Sequence, residues 1–257
     1  MRFQDKIAIV TGGGSGMGKE VATRFVAEGG SVVINGRSAP KIEAAAREID
    51  PTGRRITLYA GDISLPGTGE AVVKTALDRF LRLDVLFNNA GIFAPKPFLE
   101  ITEAEYDGFL DNILKGTFFT AQAAAKAMKA AGRGGVIVQT GSMWGLQAIG
   151  ATPSSAYSAA KAGVHALVKN LAIELAADKI RVNAIAPAVI ETPVYDTFLT
   201  PEEVKAVLPT FKALHPLGRN GQVADAAEAL LFLASDQASF ITGVVLPVDG
   251  GVMAGRQ

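Results

Sequence analysis

The sequence predicts a single α/β domain built on a doubly wound parallel sheet of about seven strands. Three observations lead to this fold class. Short apolar stretches alternate along the chain with amphipathic stretches of helical period. The apolar stretches are continuous, as in strands whose two faces are both covered by helices. No linker, repeat or low-complexity segment divides the 257 residues, so we expect one domain over residues 1–257.

The elements follow one another as β-α-β units. The first unit has strands at Lys6–Val10 and Ser31–Ile34 and a helix from Lys19 to Glu28 that ends at Gly29-Gly30. Its strands must be parallel because a helix crosses between them. A capping box at residues 102–105, Thr-Glu-Ala-Glu, predicts the start of a long helix. The remaining strands are predicted at 56–60, 85–87, 136–139, 182–186 and 244–248, and the remaining helices at 40–49, 67–80, 103–130, 155–177 and 223–234.

The composition argues against several classes of function. The 25 basic residues balance 25 acidic ones, so the electrostatic footprint of a nucleic-acid-binding protein is missing and no nucleic-acid partner is expected. The absence of cysteine excludes disulfides, thiol nucleophiles and cysteine metal sites. His165 and His215 have no paired spacing, so no metal site is expected, and His165 is interpreted as a structural residue of an apolar helix.

The hydrophobic pattern predicts a protein with no membrane partner. Met1–Asp5 lacks the hydrophobic region of a signal peptide, and no apolar run approaches the length of a membrane span. The expected location is therefore cytoplasmic.

A glycine-rich loop follows the first strand directly. In residues 11–18, Thr-Gly-Gly-Gly-Ser-Gly-Met-Gly, the glycines Gly12, Gly16 and Gly18 have the spacing G-x-x-x-G-x-G, and a helix follows at once. Glycines permit a tight turn and close approach of a ligand to the backbone, and a helix N-terminus offers free N–H groups to an anion. This strand-loop-helix arrangement predicts a site for a phosphate-bearing ligand.

Tyr157 and Lys161 lie one helical turn apart in the pattern Tyr-x-x-x-Lys. Side chains at i and i+4 share a helix face, so the phenol and the ammonium can converge on one point. A neighbouring positive charge favours the phenolate. We therefore expect Lys161 to lower the pKa of Tyr157 toward neutral pH and to make the phenol a proton donor.

Together, the glycine spacing and the Tyr-x-x-x-Lys pattern resemble the short-chain dehydrogenase/reductase family in its form of roughly 250 residues, which has a Rossmann-type fold. The resemblance covers nearly the whole chain. A small departure is Ala188, where relatives commonly have glycine. Further matches, each after a predicted strand, are Asp62, the segment Asn88-Asn89-Ala90-Gly91, the pair Gly141-Ser142, and Pro187 with Thr192.

The resemblance implies a nicotinamide dinucleotide cofactor at the carboxyl ends of the strands. Asp62 and Ile63 would contact the adenine ring, and Ile190 and Thr192 would hold the nicotinamide carboxamide. Three residues after the fourth strand would line the cofactor's ribose. The complete set of expected cofactor-binding residues is Gly12, Ser15, Gly16, Met17, Gly18, Arg37, Asp62, Ile63, Asn89, Ala90, Gly91, Tyr157, Lys161, Ile190 and Thr192.

Residues 36 and 37 favour NADP(H) over NAD(H). In folds of this kind an acidic residue after the second strand binds the ribose 2′-OH of NAD, whereas an arginine accommodates the 2′-phosphate of NADP. Here Gly36 occupies the expected position of the acid, and Arg37 follows with a donor fork suited to phosphate. Arg37 as a solvated loop charge is the alternative, and Ser15 is not the basic residue that many NADP-dependent relatives carry in the glycine loop.

We expect Ser142, Tyr157 and Lys161 to be the catalytic residues. Ser142 would polarise a substrate carbonyl, Tyr157 would pass its proton to the developing alkoxide, and Lys161 would bind the nicotinamide ribose, with hydride coming from the nicotinamide. The predicted function is an NADPH-dependent carbonyl reductase or alcohol dehydrogenase acting between a ketone and a secondary alcohol. The alternatives are an NAD-dependent alcohol dehydrogenase working oxidatively and a cofactor-binding sensor with little turnover.

One departure from the family pattern lies in the helix before Gly116. Relatives usually carry an asparagine three residues before this glycine, where it helps to hold a water linked to the active-site lysine. Here that position is Ile113, and Asn112 is one residue early. One residue turns a helical side chain by about 100°. Three explanations are open. The helix is overwound or bulged so that Asn112 reaches inward, a backbone carbonyl alone holds the water, or the proton relay is impaired. We place the explanation by the backbone carbonyl first.

An apolar stretch at about 188–215 is predicted to be an irregular lid over a small-molecule substrate. An apolar or aromatic ketone would fit beneath it. The alternative is that its side chains pack only against the core or a neighbouring subunit. By the family resemblance we expect a homotetramer, with interfaces on the long helices and around 244–251. The large lid side chains are Val194, Tyr195, Phe198, Leu199, Leu208, Phe211 and Leu214, and the opposite wall would consist of Phe93, Met143, Trp144 and Leu146.

Overall fold

Strands and helices alternate along the chain as predicted. The computed structural model describes residues 1–150 and 152–255, and in that part of the chain no helix has both the length and the apolar character needed to cross a membrane. The strands are β1 (Ile7–Thr11), β2 (Ser31–Gly36), β3 (Ile56–Ala60), β4 (Val85–Asn88), β5 (Gly135–Thr140), β6 (Ile180–Pro187), β7 (Ile190–Glu191), β8 (Gly221–Gln222) and β9 (Val245–Val248). The α-helices are α1 (Gly16–Ala27), α2 (Ala39–Ile49), α3 (Thr68–Phe80), α4 (Glu103–Phe109), α5 (Gly116–Ala131), α6 (Ser155–Glu174), α7 (Pro201–Val207) and α8 (Val223–Ala234).

Seven of the strands form one parallel sheet in the order β3-β2-β1-β4-β5-β6-β9, and β7 pairs with β8 separately. The predicted doubly wound sheet is therefore confirmed. The chain builds the sheet outward from β1 to β3 and then crosses back to β4, so the strand order reverses between β1 and β4. The loops after these two strands diverge and leave a crevice at the carboxyl edge of the sheet, where ligands bind in folds of this kind.

Successive residues of the central strands point into two apolar clusters on opposite faces of the sheet. In β1, Ala8 and Val10 belong to the cluster that includes residues of α1, α2 and α8, whereas Ile9 belongs to the cluster with residues of α3, α5 and α6. Helices thus cover both faces. This is why the strands are apolar at every position.

The helix predicted at 103–130 is interrupted. It begins at the predicted capping box, where the Thr102 hydroxyl accepts the Glu105 N–H and the Glu105 carboxylate accepts the Thr102 N–H. A π-helical turn, Leu110–Lys115, then separates α4 from α5. A π-helical turn is wider than an α-helical turn and accommodates an additional residue.

The stretch between β6 and α8 is largely helical, and the prediction that it is irregular was wrong. It contains α7 and two 3₁₀ turns, Tyr195–Thr197 and Leu208–Leu214. Thr200 and Glu203 form a capping box around the first turn of α7, and Pro201 occupies its first position. The sequence Thr-Pro-Glu-Glu carries this signal, since Pro is favoured at the first helical position and Thr and Glu at the cap.

Candidate active site

At Gly12 and Gly18 the loop after β1 packs so closely against its surroundings that it has no room for a side chain. A Cβ atom on Gly12, where φ is +67°, would lie 3.1 Å from the Ala90 Cα, and one on Gly18 would lie 2.3 Å from the Gly12 carbonyl oxygen. At Ser15, the N-cap of α1, the side chain makes no capping hydrogen bond. The loop thus presents bare backbone and a helix N-terminus at the crevice, and these groups fit a dinucleotide pyrophosphate.

Thr11 joins the end of β1 to the end of β4. Its Oγ1 accepts hydrogen bonds from the backbone N–H groups of Asn89 (2.9 Å) and Ala90 (3.0 Å) and donates to the Asn88 Oδ1 (3.2 Å). The three bonds fix the backbone that is expected to line the cofactor's ribose. Thr11 was not predicted as a site residue, although it is the first residue of the glycine motif.

The other predicted cofactor residues lie around the same crevice. A Cβ on Gly16 would lie 3.5 Å from the Thr192 Cβ, so the loop after β6 approaches the glycine loop. A Cβ on Gly91 would lie 3.7 Å from the Lys161 Nζ. Asp62 accepts hydrogen bonds from the Ser64 N–H (2.9 Å) and hydroxyl (2.8 Å), which orient its carboxylate. Of the remaining residues, Ile63 and Ile190 are buried and Met17 is partly buried.

Arg37 lies one residue beyond β2, and its side chain is exposed. Within residues 1–150 and 152–255 it forms no salt bridge, whereas several other arginines of the chain do. Its guanidinium is therefore available to a ligand.

Ser142 and Lys161 are buried beside each other at the end of β5. Ser142 is 3% exposed, and its Oγ accepts the Trp144 N–H at 3.2 Å. Lys161 is 4% exposed, and its Nζ donates to the Thr140 carbonyl at 2.6 Å. Nζ lies 5.7 Å from the centre of the half-buried Tyr157 ring. The structure thus brings the three predicted catalytic residues together.

Burial shifts the pKa values of Tyr157 and Lys161 in the directions that favour the neutral form of each group. It raises the pKa of Tyr157 to about 12, against the opposing effect of a hydrogen bond with Ser142. It lowers the pKa of Lys161 to about 8. The direction for Tyr157 is opposite to that expected from the i,i+4 spacing. The physical reason is that apolar surroundings remove the water that would stabilise a phenolate, while the ammonium is bonded to the Thr140 carbonyl.

The π-helical turn bears on the explanations for the displaced asparagine. Ile113 is 1% exposed and packs against Ala156, Ala160 and Val164 of α6. Asn112 is 8% exposed, and its Oδ1 is buried without a hydrogen-bond partner among the described residues. The wide turn therefore buries both side chains. The bulge, one of the three alternatives, is therefore present in the structure.

The ring of Phe93 contacts the ring of Tyr157 and two other aromatic side chains. The ring centre of Phe93 lies 4.9 Å from that of Tyr157, 5.6 Å from that of Phe198 and 6.1 Å from that of Trp144. The expected lid side chains belong to one apolar cluster with Met143 and Trp144. Leu146 is 41% exposed and lies outside that cluster, so its expected place in the wall is not observed.

Comparison with known proteins gives consistent similarities over the whole chain. A family model described as enoyl-(acyl carrier protein) reductase matches residues 12–253. The chain is 39% identical to (2S)-[(R)-hydroxy(phenyl)methyl]succinyl-CoA dehydrogenase subunit BbsD of Thauera aromatica and 40% identical to cis-4-hydroxycyclohexanecarboxylate dehydrogenase of Sinomonas cyclohexanicum, in each case over 98% of both chains. The crystal structure of levodione reductase superimposes with a TM-score of 0.92 at 36% identity, covering 99% of this chain and 100% of that one.

The Thr11 network generates a prediction. Thr11→Val preserves the shape of the side chain but leaves the Asn89 and Ala90 N–H groups without their acceptor. We expect the free energy of unfolding to fall by about 1–3 kcal/mol and cofactor affinity to weaken. Urea unfolding and a fluorescence titration with NADPH measure the two effects. Thr11→Ser, which keeps the hydroxyl, is the control. Equal stability and equal cofactor affinity of the two variants would show that the Thr11 hydroxyl does not hold the backbone of Asn89 and Ala90 in place.

Proposed function

The chain belongs to the short-chain dehydrogenase/reductase family, in which its relatives are named as dehydrogenases and reductases of alcohol and carbonyl groups, and we propose that it is an NADPH-dependent reductase of ketones carried on apolar rings. The observation that carries this proposal is the phenol of Tyr157. Burial raises its pKa, Ser142 lies next to it, and Phe93 packs against its ring.

The proposed chemistry assigns one role to each polar group. The carbonyl carbon of the substrate receives hydride from the reduced nicotinamide when the cofactor is bound. Ser142 donates a hydrogen bond to the carbonyl oxygen and holds it near the phenol. Tyr157 then transfers its proton to this oxygen as negative charge develops there. The mechanism requires a phenol and not a phenolate at the start, and Tyr157, with its pKa raised above the ordinary value, has that form at neutral pH.

Lys161 supplies positive charge next to the reacting oxygen and binds the nicotinamide ribose. With its pKa lowered to about 8, it is largely protonated at neutral pH and can also release a proton. We propose that Asn112 holds a water molecule that returns protons to Lys161. Its buried, unpartnered Oδ1 and the packing of the π-helical turn against α6 support this role.

The protonation state of the phenol sets the expected pH dependence of the two directions. A neutral phenol is a proton donor, whereas alcohol oxidation requires a phenolate as proton acceptor. At pH 7 the buried phenol is in the donor form. Ketone reduction should therefore proceed readily at neutral pH, and alcohol oxidation should require alkaline conditions.

The proposed substrate has its carbonyl on a flat or cyclic apolar framework. Phe93 packs against the Tyr157 ring and also against Trp144 and Phe198, and such ring surfaces favour rings through area burial and aromatic contacts. The name of one relative specifies a hydroxycyclohexane ring. We propose that residues 188–215, which carry Phe198, are the lid over this substrate. The homotetramer implied by the family resemblance and the cytoplasmic location expected from the hydrophobic pattern stay predictions.

Substitution of the phenol tests the central chemical step. Tyr157→Phe removes the proton donor and keeps the ring, so we expect kcat/KM for ketone reduction to fall by about 10²- to 10⁴-fold. The dissociation constant of NADPH should change by less than about threefold. Loss of NADPH absorbance with a panel of cyclic ketones measures the reaction. Tyr106→Phe, at an exposed position on α4, is the matched control. Near-normal turnover of the Tyr157→Phe variant would contradict the proposal that Tyr157 is the proton donor.

Substitution of Arg37 tests the choice of cofactor. A charge-assisted hydrogen bond to the 2′-phosphate contributes about 1.5–3 kcal/mol, so Arg37→Gln should weaken NADPH binding by about 10- to 100-fold. NADH lacks this phosphate and should bind the variant as it binds the original protein. Arg54→Gln, another exposed arginine, controls for the loss of one positive charge. Tighter binding of NADH than of NADPH by the unsubstituted protein would contradict the assignment.

A further inference from the structure

His165 lies on α6 one helical turn beyond Lys161 and two turns beyond Tyr157, on the same face of the helix. It is 5% exposed. Its Nε2 accepts a hydrogen bond from the backbone N–H of Ser142 at 3.2 Å. The helix face that carries the phenol and the ammonium thus also carries an imidazole that contacts the backbone of the catalytic serine.

The Ser142 N–H lies just beyond the end of strand β5, where pairing with the neighbouring strand β6 stops. The pairing of β5 with β6 ends at Thr140 and Ile185, and the last N–H bonded across these strands is that of Gly141, which donates to the Ile185 carbonyl at 2.8 Å. The next N–H along the chain is that of Ser142, and it is bonded to His165. The imidazole thus bonds the first N–H that follows the last bond between β5 and β6.

We propose that His165 is a positioning residue that fixes the backbone of Ser142 and so directs the Ser142 hydroxyl at the substrate carbonyl. This inference rests on the proposed ketone reduction. It assigns a function to a histidine that the sequence alone indicated only as structural.

The hydrogen bond determines the tautomer of His165. A backbone N–H can only donate, so Nε2 must be unprotonated and the proton of the neutral ring must reside on Nδ1. A protonated ring would direct an N–H at the Ser142 N–H and break the contact. Burial, and after it the charge of Lys161, lower the pKa of His165 to about 4. The ring therefore remains a hydrogen-bond acceptor throughout the neutral range.

Two glycines make room for the ring on either side of Ser142. A Cβ on Gly141 would lie 2.2 Å from Nε2, and one on Gly145 would lie 2.8 Å from the ring Cε1 atom. Any side chain at these positions would displace the imidazole. The segment 141–145 and the ring thus fit each other closely, which allows little freedom in the position of Ser142.

The test is a double-mutant cycle between His165 and Ser142, measured as kcat for ketone reduction. His165→Leu removes the acceptor and should lower kcat by about 10- to 100-fold, since displacement of a catalytic group by about 1 Å has an effect of this size. His165→Gln offers an amide oxygen near the position of Nε2 and should restore kcat to within about fivefold of the original. In the Ser142→Ala protein, His165→Leu should have no further effect, because its action passes through the missing hydroxyl.

Two further measurements separate this role from a merely structural one. Val168→Ala, at a buried position one turn further along α6, should destabilise the protein with kcat unchanged. Independently of turnover, ¹⁵N NMR of the histidine rings should show His165 with its proton on Nδ1 down to about pH 5. Additive losses in the double variant, or a proton on Nε2, would overturn the inference. Absence of ketone reduction by the original protein would instead overturn the proposed function, and the NMR measurement would still decide the tautomer.

Discussion

Helix α6 contacts the end of strand β5 at three successive helical turns, through Tyr157, Lys161 and His165, and the arrangement of the site depends on this attachment. The Tyr157 phenol lies next to Ser142, whose side chain partly opposes the rise of its pKa; Lys161 donates to the Thr140 carbonyl, and His165 accepts the Ser142 N–H. Each contact joins one turn of the helix to one residue of the segment 140–142. A small rotation of the helix would break all three, so the attachment fixes the relative positions of phenol, ammonium and serine.

The same attachment explains the electrostatics of the site. Bringing α6 onto the strand end removes the phenol and the ammonium from water, and burial disfavours the charged form of each. At neutral pH the result is a protonated phenol beside a largely protonated lysine. This combination suits proton donation to a carbonyl oxygen. It also shows why sequence spacing alone led to the wrong direction for Tyr157, since i,i+4 spacing indicates proximity but carries no information about desolvation.

Features that depend on local sequence were predictable, whereas features that depend on packing between distant segments were not. The seven strands of the sheet follow from continuous apolar runs, and the glycine loop follows from its spacing after β1. The π-helical turn was predicted only as one of several alternatives, because its signal is a single residue of offset between Asn112 and Gly116. The hydroxyl of Thr11 and the ring of His165 were missed as site groups because their partners lie 78 and 23 residues away along the chain. Helix α7 was missed although its capping box is visible in the sequence, because the apolar content of the stretch outweighed the cap in the interpretation.

The protonation state of Tyr157 in the cofactor-free protein tests most directly whether burial controls the chemistry of the site. Protein labelled with ¹³C at the tyrosine Cζ atoms reports the ionisation of each phenol, and the Tyr157 signal is identified by its absence from a Tyr157→Phe sample. With a pKa of about 12, the signal should retain the position of a neutral phenol at least to about pH 10. A titration with its midpoint between about pH 6 and pH 8 would show that the lysine charge outweighs desolvation, and it would contradict the central role of burial.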